Sequence, residues 1–179
     1  MTVSKKLVTA SRIMQGLSLA GTILLPALTV TTFLWPNRYH LVDVAQAQLG
    51  APLNDQVPFD DRLHALLVFS IPTAFAIWAL FALARLFALF AKGEVFSRPA
   101  LQSLNSVATA LLFNAIASIL VKPPISFLLT HANPPGHRMM SLGIAPRDLL
   151  ILFLAGTALV IARVMTEARN VADENASFV

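Results

Sequence analysis

The sequence predicts an all-α fold, an integral membrane four-helix bundle with both termini in the cytoplasm. Three observations predict it. Only 12% of the 179 residues are charged, against about 25% in a typical soluble domain. Mean hydropathy is +0.71, and the apolar residues fall into four windows bounded by charges. The basic residues, finally, divide unequally between the two sides that those windows define, which is the signal that orients membrane helices.

The windows set the spans. Uncharged stretches run from Arg12 to Arg38, from Arg62 to Arg85 and from Arg98 to Lys122. Each exceeds the roughly 20 apolar residues that a spanning helix needs, so spans are expected at 13–35, 63–84 and 99–121. The fourth window, Leu149 to Ala162, falls short of that length. It becomes a span at 149–165 when Arg163 lies at the lipid boundary, its stem along the helix and its guanidinium among headgroups. The first apolar stretch, with Lys5 and Lys6 ahead of it and Ala45 to Ala47 behind it, is too long for a signal peptide.

With the N-terminus inside, the inner face holds Lys5, Lys6, Arg12, Arg85, Lys92, Arg98, Arg163 and Arg169, and the outer face holds Arg38, Arg62, Lys122, Arg138 and Arg147. Eight against five favours that orientation. Trp35 and Tyr39 then sit at the outer boundary, where amphipathic rings prefer to lie. Pro26 and Pro72 fall inside spans and kink them, which membrane helices tolerate when neighbours satisfy the freed carbonyl.

Between the spans, Leu86, Phe87, Leu89 and Phe90 extend the second helix to Lys92. Gly93 is a natural cap able to take positive φ. Ser97 reads as the N-cap of the third helix with Pro99 in its first turn, which makes these two helices antiparallel neighbours. Asp60 and Asp61 are expected to cap span two. The stretch Ile125 to Leu129 is too short to cross, so it lies at the interface or folds onto the bundle. After Met165 the fourth helix projects as a cytoplasmic tail, 166–179. There Arg163 with Glu167 and Arg169 with Asp173 are spaced for i, i+4 pairs, and Val164, Ala168, Val171 and Ala172 form an apolar stripe.

Function classes narrow by elimination. No cysteine is present, so disulfides, thiolate metal sites and cysteine nucleophiles are excluded. The net charge of +4 is spread along the chain, which argues against direct nucleic-acid binding. No phosphate loop, nucleophile elbow or zinc-protease helix occurs, so no catalytic residue and no cofactor are expected. Spans without buried acids or bases lack the groups that ion pathways need. Asn114 and Ser118 are the deepest polar candidates and read as interhelical hydrogen-bonding residues; Gln15 lies near the inner end of span one. Gly16 with Ala20, and Ala155 with Gly156, read as close-packing positions, with homo-oligomerisation as the other reading. His40, His64, His131 and His137 all fall on the outer side. They are weak candidates for a metal or pH-sensing site, because Pro-Pro-Gly between the last two gives no ligand spacing.

Two segments carry a resemblance. Lys92-Gly93-Glu94-Val95-Phe96-Ser97, followed by Leu101 and Leu104, resembles the Gly-x-x-Phe-Ser signature of a bacterial four-span family catalogued as domain of unknown function 2975. The ending Ala172-Asp173-Glu174-Asn175-Ala176-Ser177-Phe178-Val179 resembles the same family's terminal acidic pair, apolar residue and valine. The chain departs at position 100, Ala where many members carry Asn, and at Asn105-Ser106-Val107, where a Gly is frequent. The resemblance implies a multi-pass protein of the bacterial inner membrane. It also implies a small helix-turn-helix regulator as partner, since relatives are often encoded beside one. It brings no substrate, cofactor or catalytic residue. Gly93, Phe96, Ser97, Glu174, Asn175, Phe178 and Val179 become the docking candidates. A small transporter or channel subunit, and a structural or assembly protein, are the competing functions.

Overall fold

The computed structural model describes residues 5–35, 57–131 and 144–177, with 133, 134, 138 and 140 between the last two stretches. Within them the chain is helical, with no strands: α1 (Lys5–Leu34), α2 (Phe59–Ala91), α3 (Arg98–Leu120), the short α4 (Lys122–Thr130) and α5 (Pro146–Ser177). Four helical stretches are long and apolar enough to cross a membrane, with α3 and α4 together forming one of them, Arg98–Thr130. These stretches hold 30 to 33 residues. At 1.5 Å per residue that is roughly 45–50 Å, against a hydrocarbon core of about 30 Å. Each helix therefore extends beyond the apolar slab, as expected for α2 and α5.

Packing follows chain order. α1 lies along α2, α2 along α3, and α3 along α5, while α4 folds against α2. Contacts fix the directions. Phe33 meets Phe69 at 5.7 Å between ring centres, whereas a side chain at Gly21 would meet Leu80 Cδ1 at 3.1 Å, so α1 and α2 run antiparallel. Phe75 stacks on Phe113 at 5.5 Å across α2 and α3.

The interior is built from small residues. Ser11 and Ser18 of α1 are buried, as are Ala65, Ala79, Ala82 and Ala84 of α2. Ala100, Ser103, Ala108, Ala110, Ala115 and Ala117 of α3 are buried as well. Large apolar side chains point outward instead, among them Ile23, Phe81, Leu120 and Phe153. Water would make that arrangement costly. In lipid it costs nothing, because acyl chains are as apolar as leucine, and small residues let backbones approach closely enough for dispersion to hold the helices. The close-packing positions differ from those read in the sequence. Gly16 and Gly156 face open space, and Gly21 makes the tight approach to α2; Ala155 is buried while Ala20 is exposed. Helical phase, which composition does not reveal, turns one glycine in and the others out.

Pro26 and Pro72 lie inside their helices without ending them. Carbonyls beside Pro72 gain side-chain donors: Thr73 Oγ1 donates to Phe69 O at 2.9 Å and Asn114 Nδ2 donates to Pro72 O at 2.8 Å. Pro123 and Pro124 likewise fail to end the third helical path. Val121 N donates to Ala117 O at 2.9 Å and Ile125 N to Val121 O at 3.1 Å, so helical bonding resumes past the pair, and prolines at the start of α4 need no donor there. Of the two placements open to Ile125–Leu129, the structure selects folding onto the bundle. Ile125 and Leu129 join Phe33, Ala65 and Val121 in a buried cluster. Asp60 and Asp61 lie in the first turn of α2, but the cap position is Pro58 and no side chain caps it. They act there through charge at the positive helix end, and Asp61 faces His131 Nδ1 at 3.9 Å.

Candidate functional site

The turn between α2 and α3 is built by local chemistry. Gly93 takes φ 86°, a left-handed conformation that costs a side-chain-bearing residue about 1–2 kcal/mol. Gly93 N donates to Phe90 O and Glu94 N to Leu89 O, both at 3.0 Å. This paired pattern satisfies the last carbonyls of α2. Further along the turn, Ser97 Oγ accepts from Ala100 N at 3.3 Å, with Pro99 in the first turn of α3. Both ends of the turn are therefore closed by the residues that the sequence singled out. Phe96 stands between them, 62% exposed.

The last turns of α5 lie against this turn. Arg98 at the start of α3 donates from Nε at 3.2 Å and from Nη2 at 3.0 Å to Asp173 Oδ2. Asp173 Oδ1 meets Arg169 Nε at 2.9 Å, and Arg169 Nη1 donates to Phe96 O at 3.4 Å. One carboxylate thus holds two guanidiniums, and one of those holds the backbone beside Phe96. Asp173 lies past the apolar stretch 149–165. Hydrogen bonding from Arg98, then from Arg169, holds its carboxyl below the ordinary carboxylate value. Sequence spacing finds the Arg169–Asp173 pair but not Arg98, which lies on a different helix far away along the chain. The other expected pair does not form: Arg163 and Glu167 make no ion pair among the described residues, although they share the same spacing.

An open groove of about 500 Å³ runs beside this clasp, between Arg98, Gln102 and Asn105 of α3 and Arg163, Thr166, Glu167 and Arg169 of α5. At the opposite end, Lys122, the first residue of α4 just past α3, forms an ion pair with Asp148 of α5, each side chain largely covered at 16% and 14% exposure. Asp148 also accepts from Ala145 N at 2.7 Å, the reach-back arm of a capping box. The two ion pairs share one register, because the chain from Arg98 to Lys122 is nearly as long as the chain from Asp148 to Asp173. Along an α-helix either stretch measures roughly 36 Å, slightly more than the hydrocarbon thickness of about 30 Å. That separation is close to the distance between the two polar faces of a bilayer.

The remaining candidates separate from this site. Asn114 is half-buried and donates across to α2, as an interhelical residue should; Ser118 is half-buried one turn further along. His64 is exposed, and His131 packs near Phe127 at 5.9 Å. No group of three or more His, Asp or Glu side chains converges on a metal-sized site among the described residues. His40, His137, Tyr39, Phe178 and Val179 lie outside the described residues. Glu174 and Asn175 are exposed on α5. Val164, Ala168, Val171 and Ala172 of the tail stripe are all exposed.

The clasp joins the Phe-Ser turn to the acidic tail, the two segments that carry the family resemblance. A family model described as "Protein of unknown function (DUF2975)" matches residues 13–179. The chain belongs to that family. The match takes in the first apolar helical stretch from residue 13 and the other three whole, with the turn and the tail. No curated protein and no solved structure matches the chain significantly. Membership in DUF2975 names no activity, which is left to be argued from the clasp.

Proposed function

We propose that this DUF2975 protein is a non-enzymatic regulatory membrane protein of the bacterial inner membrane, oriented with both termini in the cytoplasm. It acts by docking a small helix-turn-helix regulator at the turn and tail. The observation that carries the reading is the clasp Phe96–Arg169–Asp173–Arg98. Two segments far apart in sequence meet there and leave Phe96 exposed beside a cluster of charges. An exposed aromatic ringed by arginines is the composition that binding hot spots favour. Ion pairs this exposed add little stability, so fold stability alone gives the clasp little reason to exist. A partner that covers it would gain from both the aromatic and the guanidiniums. The excess of Lys and Arg on that side supports its placement in the cytoplasm.

The test is co-purification of the full chain with a small helix-turn-helix protein taken from its gene neighbourhood. Removing residues 173–179, or substituting Asp173→Lys, should abolish recovery of the regulator while leaving membrane insertion intact. Unchanged recovery would remove the docking reading. Orientation is checked separately with reporter fusions after residues 50, 95, 140 and 179. A periplasmic reporter active at 95 would reverse the assignment of sides.

A further inference from the structure

We infer that the groove between α3 and α5 binds a phosphate group, carried by an anionic phospholipid headgroup or free in solution. This goes beyond the regulator reading and does not depend on it. The groove gathers three guanidiniums, from Arg98, Arg163 and Arg169, at the N-terminal and therefore positive end of α3. Two carboxylates oppose them, Glu167 in the lining and Asp173 in the clasp. Three against two leaves one positive charge, the complement of a single phosphodiester.

The donors are preset. Asp173 engages Arg98 through Nε and Nη2 and Arg169 through Nε. It fixes both planes and leaves Arg98 Nη1 and Arg169 Nη2 to face elsewhere. Planar, prepositioned guanidiniums are what bidentate phosphate recognition uses. Arg163 contributes the third charge without an ion-pair partner among the described residues. Gln102, Asn105 and Thr166 add neutral hydrogen-bonding groups to the same walls.

Position supplies the rest of the argument. The clasp and the Lys122–Asp148 pair lie roughly 36 Å apart along the helices, about a bilayer's thickness, and Arg163 closes the apolar stretch of α5. Ile161 and Val164 beside it are exposed, so acyl chains have apolar surface next to a cationic groove. Basic pockets between membrane helices hold anionic headgroups by this combination.

The experiment uses the full chain in detergent, with native mass spectrometry during titration by phosphatidylglycerol or by phosphatidylcholine of the same acyl chains. A parallel calorimetric titration uses inorganic phosphate. Phosphatidylglycerol should bind more tightly than phosphatidylcholine, and Arg163→Gln should weaken it about fivefold, the worth of one basic residue near an anionic headgroup. Arg163→Lys should keep most of the affinity, and Gln102→Glu should remove it while circular dichroism stays unchanged. Arg85→Gln, on α2 and outside the groove, should have little effect. Saturable, Arg163-dependent binding of inorganic phosphate without lipid preference would name free phosphate as the source. Equal retention of both lipids together with no phosphate heat would overturn the proposal, as would equal losses for Arg85→Gln and Arg163→Gln.

Discussion

Removing Lys122 should destabilise the protein in a way that depends on Asp148 and on pH. The pair joins the start of α4, just past the end of α3, to the start of α5, and each side chain keeps only about a sixth of its surface exposed. A fully exposed ion pair contributes about 0–1 kcal/mol, whereas breaking a fully buried one costs about 3–5 kcal/mol. Largely but not fully covered, this pair falls between them, so Lys122→Met should cost about 1–3 kcal/mol. Asp148→Asn should cost a similar amount, because its carboxylate also receives the Ala145 amide at the start of α5. The double variant should cost less than the sum of the two, since removing both partners leaves no orphaned charge. Asp148 lies just ahead of the apolar stretch 149–165. Hydrogen bonding from Lys122, against some opposing desolvation, holds its carboxyl below the usual 3.8, with help from the Ala145 amide. A depressed folded value means that the stabilisation is complete above the unfolded value and is lost as pH falls through the folded one. The gap between wild type and Asp148→Asn should therefore stay constant from about pH 5 to 8 and close below about pH 4. Thermal unfolding in detergent, followed by circular dichroism across that range, measures both effects. Strict additivity of the two single variants, or a gap that closes on the alkaline side instead, would refute the reasoning.

Two further outcomes follow from the structure. Asn114→Leu deletes the donor to Pro72 O and should cost about 0.6–1.7 kcal/mol, the range for interhelical hydrogen bonds in membranes; steric-trap or SDS unfolding reads it, and no change would mean that the bond carries nothing. Gly93→Ala forces a side chain into φ 86° and should lower stability by about 1 kcal/mol, with Gly93→Asn recovering part of the loss in the same assay.

Short-range features were legible in the sequence. Gly93 and Ser97 closed the α2–α3 turn because caps depend on residues that are near neighbours along the chain. Asn114 reached a neighbouring helix because a deep amide in lipid has few other ways to satisfy its donors. The clasp was not legible in full, because Arg98 and Asp173 meet only through the antiparallel register of α3 and α5. The same register brings Lys122 to Asp148. Two charges of opposite sign at the expected ends of neighbouring spans were the available signal, and they become pairs only once helix adjacency is known. The place of Ile125–Leu129 was left open between interface and bundle for the same reason, because only tertiary packing of Ile125 and Leu129 against Ala65 and Phe33 decides it.

The sequence by itself determined that this chain needs lipid, how many times it crosses, and where its α2–α3 turn is capped. Those properties depend on the length of apolar runs and on bonds between near neighbours, which a linear order of residues contains. Tertiary structure alone decided which faces touch, why small side chains are buried and large ones lie outside, and that α3 and α5 are strapped at both ends. Rotation and register of whole helices fix those properties, and they are set by pairs of residues as distant along the chain as Arg98 and Asp173.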